Sequence, residues 1–248
     1  MVAPLFFAEK VTSLTPGSEF ELDGPEGKHA AVVRRMRVGE SIQLTDGKGC
    51  RVLGKVSKVD GSSVTVLVSE TLVEALPKLQ VTLVQALAKG DRDELAVQAA
   101  TELGGLSIIP WQATRSISRW EGPKALKGQV RWQTIATEAA KQSLRAWEPV
   151  VEAVVSTKEL TRLVKDFELV LVLDPTANTS IAGLGELSGR IAIVVGPEGG
   201  VDEHELKELE AAGAKRVHLG SGILRTSTAG LAAISYLVGS SGLWDSAE

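Results

Sequence analysis

The chain has 248 residues and a formal net charge of −4, from 27 Lys and Arg against 31 Asp and Glu, so any affinity for nucleic acid must come from a local basic patch. Its hydrophobic fraction of 44% and charged fraction of 23% are typical of a globular protein with one or two domains and exclude disorder of the whole chain. The single cysteine excludes a disulfide framework, and the small number of histidines, three, argues against a metal site. The sequence shows neither a signal-peptide pattern nor a long apolar run, which predicts a soluble cytoplasmic protein.

The first 74 residues predict a small β-barrel domain with one helix. Polar and apolar residues alternate over residues 41–45, 51–56 and 64–68, and Gly and Asp residues supply the turns between these runs. Short alternating runs of this kind are typical of strands in hairpins. The segment 28–37, followed by Gly39, predicts the single helix.

Residues 75–248 predict a second domain in which strands alternate with helices. The predicted strands are 79–86, 106–110, 169–174, 190–195 and 216–219, and the predicted helices are 91–103, 123–144, 202–212 and 225–239. Two of the strands are continuous apolar runs, which is typical of parallel strands buried on both faces. The alternation therefore predicts an α/β domain with a parallel sheet and helices on both faces.

Two glycine-containing loops in the second domain are the strongest candidates for a functional site. The first, Gly196-Pro-Glu-Gly-Gly200, follows an apolar strand, and its glycines allow the backbone to approach a ligand closely. The second, 219–224, leads into Arg225 and a helix. Ligands bind beyond the carboxyl ends of strands in open α/β sheets, which favours a binding site here. The alternatives are an ordinary strand-to-helix turn for the first loop, helix capping for the hydroxyls that follow Arg225, and bracing of the loop for Arg225 itself.

These loops resemble those of the SPOUT methyltransferases, and more narrowly those of the RsmE family of 16S rRNA (uracil-N3) methyltransferases. Other matching segments, in chain order, are His29-x-x-x-Val-x-Arg-Met36, Lys89-Gly-x-x-x-Glu94, Thr101-Glu-Leu-Gly104, Arg131-Trp-x-x-Ile135 and Gln142-Ser-x-x-Arg-x-x-x-Pro149. The similarity extends over nearly the whole chain. Two positions depart from the family pattern: Ser227 stands where many members carry Glu, and Arg35 replaces a usual Leu.

The resemblance implies a PUA-like, RNA-binding β-barrel at 1–74 and a knotted SPOUT methyltransferase domain at 75–248, in a homodimer that uses S-adenosylmethionine. The implied reaction is methylation of N3 of a uridine in 16S rRNA of the small ribosomal subunit, uridine 1498 in the family. The cofactor-binding residues implied are Leu173, Gly196, Pro197, Glu198, Gly199, Gly200, Leu219, Gly220, Ile223, Leu224 and Thr228. In this mechanism Arg225 stabilises charge on the uracil carbonyls, and Glu198 is a candidate acceptor for the N3 proton.

Basic residues in two regions predict contacts with RNA phosphates. The candidates are Lys28, His29, Arg34, Arg35, Arg37, Arg115, Arg131 and Arg145. Four of the five tryptophans lie between residues 111 and 147, where they would either stack on exposed bases or belong to the core. A solvated helix face is the alternative for the basic residues.

Two other functions remain open at this point. The chain could be an RNA-binding or ribosome-assembly module without catalytic activity, or an α/β enzyme that acts on a small nucleotide. Binding of S-adenosylmethionine and S-adenosylhomocysteine would favour the methyltransferase, and binding of neither would favour the module.

Overall fold

The computed structural model describes residues 2–244, which form two compact units. The first unit comprises the residues up to Leu76 together with Ala140–Glu148. The second comprises Pro77–Ala139 and the chain from Pro149 onward. The first unit thus consists of two separate stretches of chain. The predicted division into 1–74 and 75–248 assigns Ala140–Glu148 to the second domain instead.

The first unit is built on a five-stranded sheet with the order β1-β3-β4-β5-β2. Its strands are β1 (Leu5–Phe7), β2 (Glu19–Leu22), β3 (Ser41–Thr45), β4 (Cys50–Asp60) and β5 (Ser63–Val73). All neighbours are antiparallel except β1 and β3. Alternate residues such as Ile42 and Leu44, or Val64 and Val66, are buried in one hydrophobic core, as the period of two along a strand requires.

The helix predicted at residues 28–37 is wrong in its bounds. The chain forms helix α1 (Gly24–Lys28), which has a proline in its first turn, and continues as one π-helical stretch over His29–Val33. The helical backbone ends before Arg35, whose φ of 55° lies in the left-handed region. Proline is favoured in the first turn of a helix, so the earlier start agrees with local chemistry that the sequence analysis overlooked.

The second unit contains a seven-stranded sheet in which every strand pairing is parallel. Its strands are β6 (Leu79–Ala86), β7 (Ser107–Gln112), β8 (Val150–Val151), β9 (Val155–Ser156), β10 (Leu169–Leu173), β11 (Gly189–Val195) and β12 (Lys215–Val217). The order along the sheet is β12-β10-β11-β6-β7-β8, and β9 also pairs with β7. The predicted parallel sheet is therefore confirmed.

Helices cover both faces of this sheet. They are α2 (Arg92–Glu102), α3 (Pro123–Gln142), α4 (Thr157–Leu163), α5 (Glu203–Ala211) and α6 (Thr226–Ser240). Consecutive residues of β6 belong to different cores, since Leu83 packs with residues of α2 and α6 and Val84 packs with residues of α4 and α5. The predicted α/β class with helices on both faces is confirmed. Among residues 2–244, no helix is both long and apolar enough to cross a bilayer.

Candidate functional site

The carboxyl ends of three adjacent strands, β10, β11 and β12, border one cavity of about 660 Å³. Parallel strands end at the same edge of a sheet, so the loops that follow Leu173, Val195 and Val217 meet at this edge. The volume lies in the range of sites that hold a cofactor or a small molecule. All residues that line the cavity belong to the second unit.

Most of the predicted cofactor and catalytic residues line this cavity, namely Leu173, Gly196, Pro197, Glu198, Gly199, Gly200, Leu219, Ile223, Leu224 and Arg225. Gly220 and Thr228 are outside the lining, which instead includes Gly222 and Thr226. The backbone N–H and the hydroxyl of Thr228 donate to the carbonyl of Arg225 at 2.9 and 3.3 Å. Thr228 thus lies in the first turn of α6, and no side chain caps this helix start, so the capping alternative for the hydroxyls is not confirmed.

The turn Gly196–Gly200 requires glycine at two of its positions. Gly200 has a φ of 73°, in the region that disfavours side chains. A Cβ on Gly196 would lie 2.7 Å from Cγ2 of Val201, so the turn folds closely onto itself there. A Cβ on Gly199 would meet only the Arg115 side chain, at an ordinary contact distance of 3.5 Å. A side chain at position 199 would therefore lie against Arg115, which lines the cavity together with Gly199.

The Glu198 carboxylate holds a neighbouring loop. Its Oε1 accepts from the backbone N–H of Lys89 at 3.0 Å and from Nη1 of Arg92 at 2.8 Å. Burial raises the pKa of Glu198, but the backbone hydrogen bonds and Arg92 outweigh burial and keep this pKa below its ordinary value. A carboxylate that is ionised and paired in this way is a weak base. The geometry favours a role in holding the loop over a role as proton acceptor.

The sequence analysis missed a buried ion pair at the end of β10. Asp174 is buried, and its Oδ2 accepts from Nε of Arg216 at 2.7 Å while Oδ1 accepts from the backbone N–H and hydroxyl of Thr176, both at 2.9 Å. Burial raises the pKa of Asp174, but the hydrogen bonds from Thr176 and Arg216 lower this pKa by more than burial raises it. The pKa of Asp174 is therefore below its ordinary value. The signal was present, because an acidic residue directly follows an apolar strand.

The loop 219–224 is held by a histidine that the sequence analysis did not select. The backbone N–H of Gly220 donates to Nδ1 of His218 at 3.0 Å. Because Nδ1 accepts a hydrogen bond, the proton of the neutral ring is on Nε2. His218 also lines the cavity, next to the predicted cofactor loop.

Arg225 differs from the other two arginines of the cavity. Arg92 and Arg115 form ion pairs with Glu198 and Asp202, at 2.8 and 2.9 Å. Arg225 is exposed, precedes α6 as its N-cap residue and lines the cavity. Within residues 2–244, no carboxylate lies within ion-pair distance of its guanidinium. It is therefore the cation that remains available to a ligand.

The predicted RNA-binding residues differ in exposure. Lys28, Arg34, Arg35 and Arg37 are exposed on the first unit. Others are partly engaged: His29 packs edge-on against Phe6, Arg131 pairs with Glu94, and Arg115 pairs with Asp202. Arg145 is half-buried, and burial lowers the pKa of its guanidinium to about 10 although Glu74 opposes this shift. The exposed cluster is thus the better candidate surface for phosphates.

The tryptophans belong mainly to the core. Trp111 and Trp132 are 0% and 1% exposed, so neither can stack on a base. Trp120 packs edge-on against Trp132, with ring centroids 4.9 Å apart. The indole N–H of Trp147 donates to the carbonyl of Glu74 at 3.0 Å. For Trp111 and Trp132 the core alternative is therefore the correct one.

Comparisons with known proteins agree with this architecture. The profile of the RNA methyltransferase domain family matches residues 74–238, and that of the RNA methyltransferase PUA domain matches residues 22–69. The chain is 39% identical to ribosomal RNA small subunit methyltransferase E of Mycobacterium tuberculosis, over 99% of this chain and 95% of that protein. It is 35% identical to the protein of the same name in Bacillus subtilis, over 87% and 88% of the two chains.

Two solved structures with a bound cofactor are similar over the whole fold. One is the ribosomal RNA small subunit methyltransferase E of Neisseria gonorrhoeae bound to S-adenosyl methionine, with a TM-score of 0.85, 30% identity and coverage of 96% of this chain and 98% of that one. The other is the putative methyltransferase Lpg2936 of Legionella pneumophila in complex with SAM, with a TM-score of 0.86, 28% identity and the same coverage.

The family profiles and the relatives confirm the predicted resemblance, the PUA-like N-terminal domain and the enzyme class. They favour neither a module without activity nor an enzyme of small nucleotides. The chain belongs to the RsmE family of ribosomal RNA small subunit methyltransferases.

Proposed function

We propose that the chain transfers a methyl group from S-adenosylmethionine to N3 of one uridine of 16S rRNA, the position numbered 1498 in the family, and that the cavity at the ends of β10, β11 and β12 is the active site. The observation that carries the proposal is the position of Arg225. Among residues 2–244, it is the arginine of the cavity lining without a carboxylate partner, and the Gly196–Gly200 turn lines the same cavity. A cation at that place can act on a base that lies beside a methyl donor.

The residues of the cavity fit S-adenosylmethionine. Leu219 and Leu224 provide apolar walls for an adenine ring, and the backbone of the Gly196–Gly200 turn is accessible to its polar edge. Arg92 and Arg115, which also line the cavity, are each paired with a carboxylate, so their charges oppose a bound sulfonium less than those of free arginines would. When bound, this cofactor supplies an electrophilic methyl group. The two similar structures that contain the same cofactor support the assignment.

Arg225 acts on the base. Uracil N3 must lose its proton before or while it attacks, and the resulting negative charge spreads to the flanking carbonyl oxygens. The guanidinium of Arg225 donates hydrogen bonds to that charge, which strengthens their interaction as the charge develops. Since Glu198 is already paired with Arg92, we assign it to positioning of the loop at Lys89, and water accepts the proton.

The exposed basic residues Lys28, Arg34, Arg35 and Arg37 would bind phosphates of the RNA. In this assignment residues 1–74 serve RNA binding and residues 75–248 serve methyl transfer. A homodimer formed through a knotted C-terminal region, and action in the cytoplasm where small ribosomal subunits are assembled, follow from the family and form part of the same proposal.

Mapping of the methylated nucleotide tests the proposal directly. A methyl group on N3 blocks the Watson–Crick edge of uracil, so reverse transcription of treated 16S rRNA should stop next to the modified residue. We expect one such stop, at the uridine equivalent to 1498, together with 3-methyluridine in a nuclease digest. A stop at another base, or methylation of a different atom in the digest, would contradict the assignment.

A further inference from the structure

A buried chain of hydrogen bonds joins the ends of β6 and β11 to the beginning of α6. Gln85 of β6 is 0% exposed, and its Nε2 donates to the carbonyl of Ala86 at 3.0 Å and to Oγ1 of Thr226 at 2.9 Å. The hydroxyl of Thr226 donates to the carbonyl of Gly196 at 2.7 Å. We refer to Gln85, Thr226 and Gly196 together as the Gln85 relay.

Every donor and acceptor in the Gln85 relay is determined by its neighbours. The carbonyl of Ala86 can only accept, so the nitrogen of the Gln85 amide must face it. The carbonyl of Gly196 can only accept, so the single hydroxyl proton of Thr226 must point to it. Thr226 then has only lone pairs left for Gln85, which Nε2 satisfies. The chain therefore has one direction, from Gln85 to Gly196.

Gln85 is an unfavourable residue for a purely structural role at this position. Its Oε1 is buried and has no hydrogen-bond partner within residues 2–244. A buried acceptor without a partner costs stability, and an apolar side chain of the same shape, such as methionine, would avoid that cost. The amide must therefore contribute something that an apolar residue cannot, and the bond to Thr226 is the contribution that reaches the cavity.

We propose that Gln85 and Thr226 are positioning residues for methyl transfer. Thr226 lines the cavity and directly follows Arg225, while Gly196 begins the turn against which the cofactor is proposed to bind. The Gln85 relay thus fixes the cofactor turn relative to the residue that acts on the base. Displacements of about 1 Å between reacting groups can cost as much as 100-fold in rate. This inference rests on the proposed function of the cavity and of Arg225.

Four variants separate this role from simple packing. Thr226→Val keeps the shape and removes the hydroxyl, and Thr226→Ser keeps the hydroxyl. Gln85→Met removes the amide at similar volume, and it is also combined with Thr226→Val. The matched control is Thr101→Val, because Thr101 is a fully buried threonine of α2 whose hydroxyl donates to the carbonyl of Val97 and which is outside the cavity lining. Each variant is measured for the single-turnover methylation rate at saturating cofactor and RNA, for affinity for S-adenosylhomocysteine and for Tm.

We expect Thr226→Val to slow single turnover by about tenfold or more, the size of losing one buried hydrogen bond in the transition state. Thr226→Ser should restore the rate to within about threefold of the parent enzyme, and Thr101→Val should lower only Tm. Since Gln85 acts through the Thr226 hydroxyl, Gln85→Met should slow the parent enzyme but add nothing to Thr226→Val.

The inference would be overturned if the rate loss of the double variant equals the product of the two single losses. It would also be overturned if Thr226→Val has the same rate as Thr101→Val. If Gln85→Met does not fold, the Thr226→Val and Thr226→Ser pair decides alone, because a packing role predicts no rescue of rate by the hydroxyl. Arg225→Ala, measured alongside, distinguishes the two proposals. Absence of methylation by the parent enzyme refutes the proposed function, and a normal rate in Arg225→Ala refutes the role of Arg225. A slow Arg225→Ala with a normal Thr226→Val refutes only the inference about the Gln85 relay.

Discussion

At the scale of single residues, the charged groups at the cavity differ in whether they are paired within the described part of the chain. Glu198 and Asp174 are held by arginines, and hydrogen bonds keep the pKa of each below its ordinary value despite the opposing effect of burial. Both are therefore ionised at neutral pH and neither is a good base. Arg225 has no such partner among the described residues.

Glu198→Gln tests whether this carboxylate accepts the N3 proton. The amide keeps the shape but loses the charge that holds Arg92, so we expect cofactor affinity to fall by about fivefold, the scale of a charge-assisted hydrogen bond at a partly exposed site. The single-turnover rate at saturating cofactor should stay within about threefold of the parent rate. A loss of about 100-fold or more at saturation is the signature of a general base, and it would restore the catalytic role to Glu198.

Asp174 should contribute to the acid sensitivity of the second unit. Its pKa in the folded state is below the ordinary value, so its ionised form stabilises the fold above the unfolded pKa of about 4. That stabilisation is lost as the pH falls through the folded pKa. Urea unfolding of Asp174→Asn should therefore depend less steeply on pH between about 2 and 5 than unfolding of the parent. An unchanged slope would contradict this, and Asp166→Asn is the exposed control.

At the scale of elements, the sequence predicted the strands with a visible burial pattern and missed the two-residue strands. The strands at 79–86 and 41–45 have the predicted bounds, because each is long enough to show its burial pattern. Strands β8 and β9 have two residues each, and no periodicity can show in so few. They exist because β7 offers them an edge, which is a property of the folded sheet.

The candidate site was predicted to a similar extent. Both glycine loops were found, because glycine and strand ends are visible locally. The pairs Arg92–Glu198 and Asp174–Arg216 join residues 106 and 42 positions apart, and only the sheet order brings them together. Gln85 was overlooked for the same reason, since a single glutamine in an apolar strand shows no partner in the sequence.

The Gly196–Gly200 turn is the element whose shape we expect to limit cofactor binding. Gly199→Val should weaken affinity for S-adenosylmethionine by about tenfold, or ~1.4 kcal/mol, because Gly199 lines the cavity and the added side chain would lie against Arg115, another lining residue. Calorimetry measures the change. Gly183→Val is the control, since a Cβ there meets nothing within 4 Å and Gly183 is outside the lining. Equal affinities in the two folded variants would remove the turn from the binding site.

At the scale of the whole molecule, the two units should divide RNA binding from cofactor binding. Arg34→Glu combined with Arg37→Glu should weaken RNA binding and reduce the slope of log affinity against log salt by about 1.4 to 1.8, at 0.7 to 0.9 for each of two phosphate contacts. Affinity for the cofactor should not change. Lys55→Glu combined with Lys58→Glu alters the net charge equally on β4 of the same unit. If both pairs reduce the slope alike, general charge and not this cluster determines RNA binding.

The central claim is that Arg225 stabilises charge on the base during methyl transfer, and Arg225→Ala tests it most directly. In single-turnover methylation at saturating cofactor and RNA we predict a rate about 100-fold lower, the scale of losing one donor to a developing charge, with only partial recovery in Arg225→Lys. Cofactor affinity and Tm should change little, and Arg162→Ala, an exposed arginine of α4, is the control. A near-normal single-turnover rate together with a large loss of cofactor affinity would contradict the account.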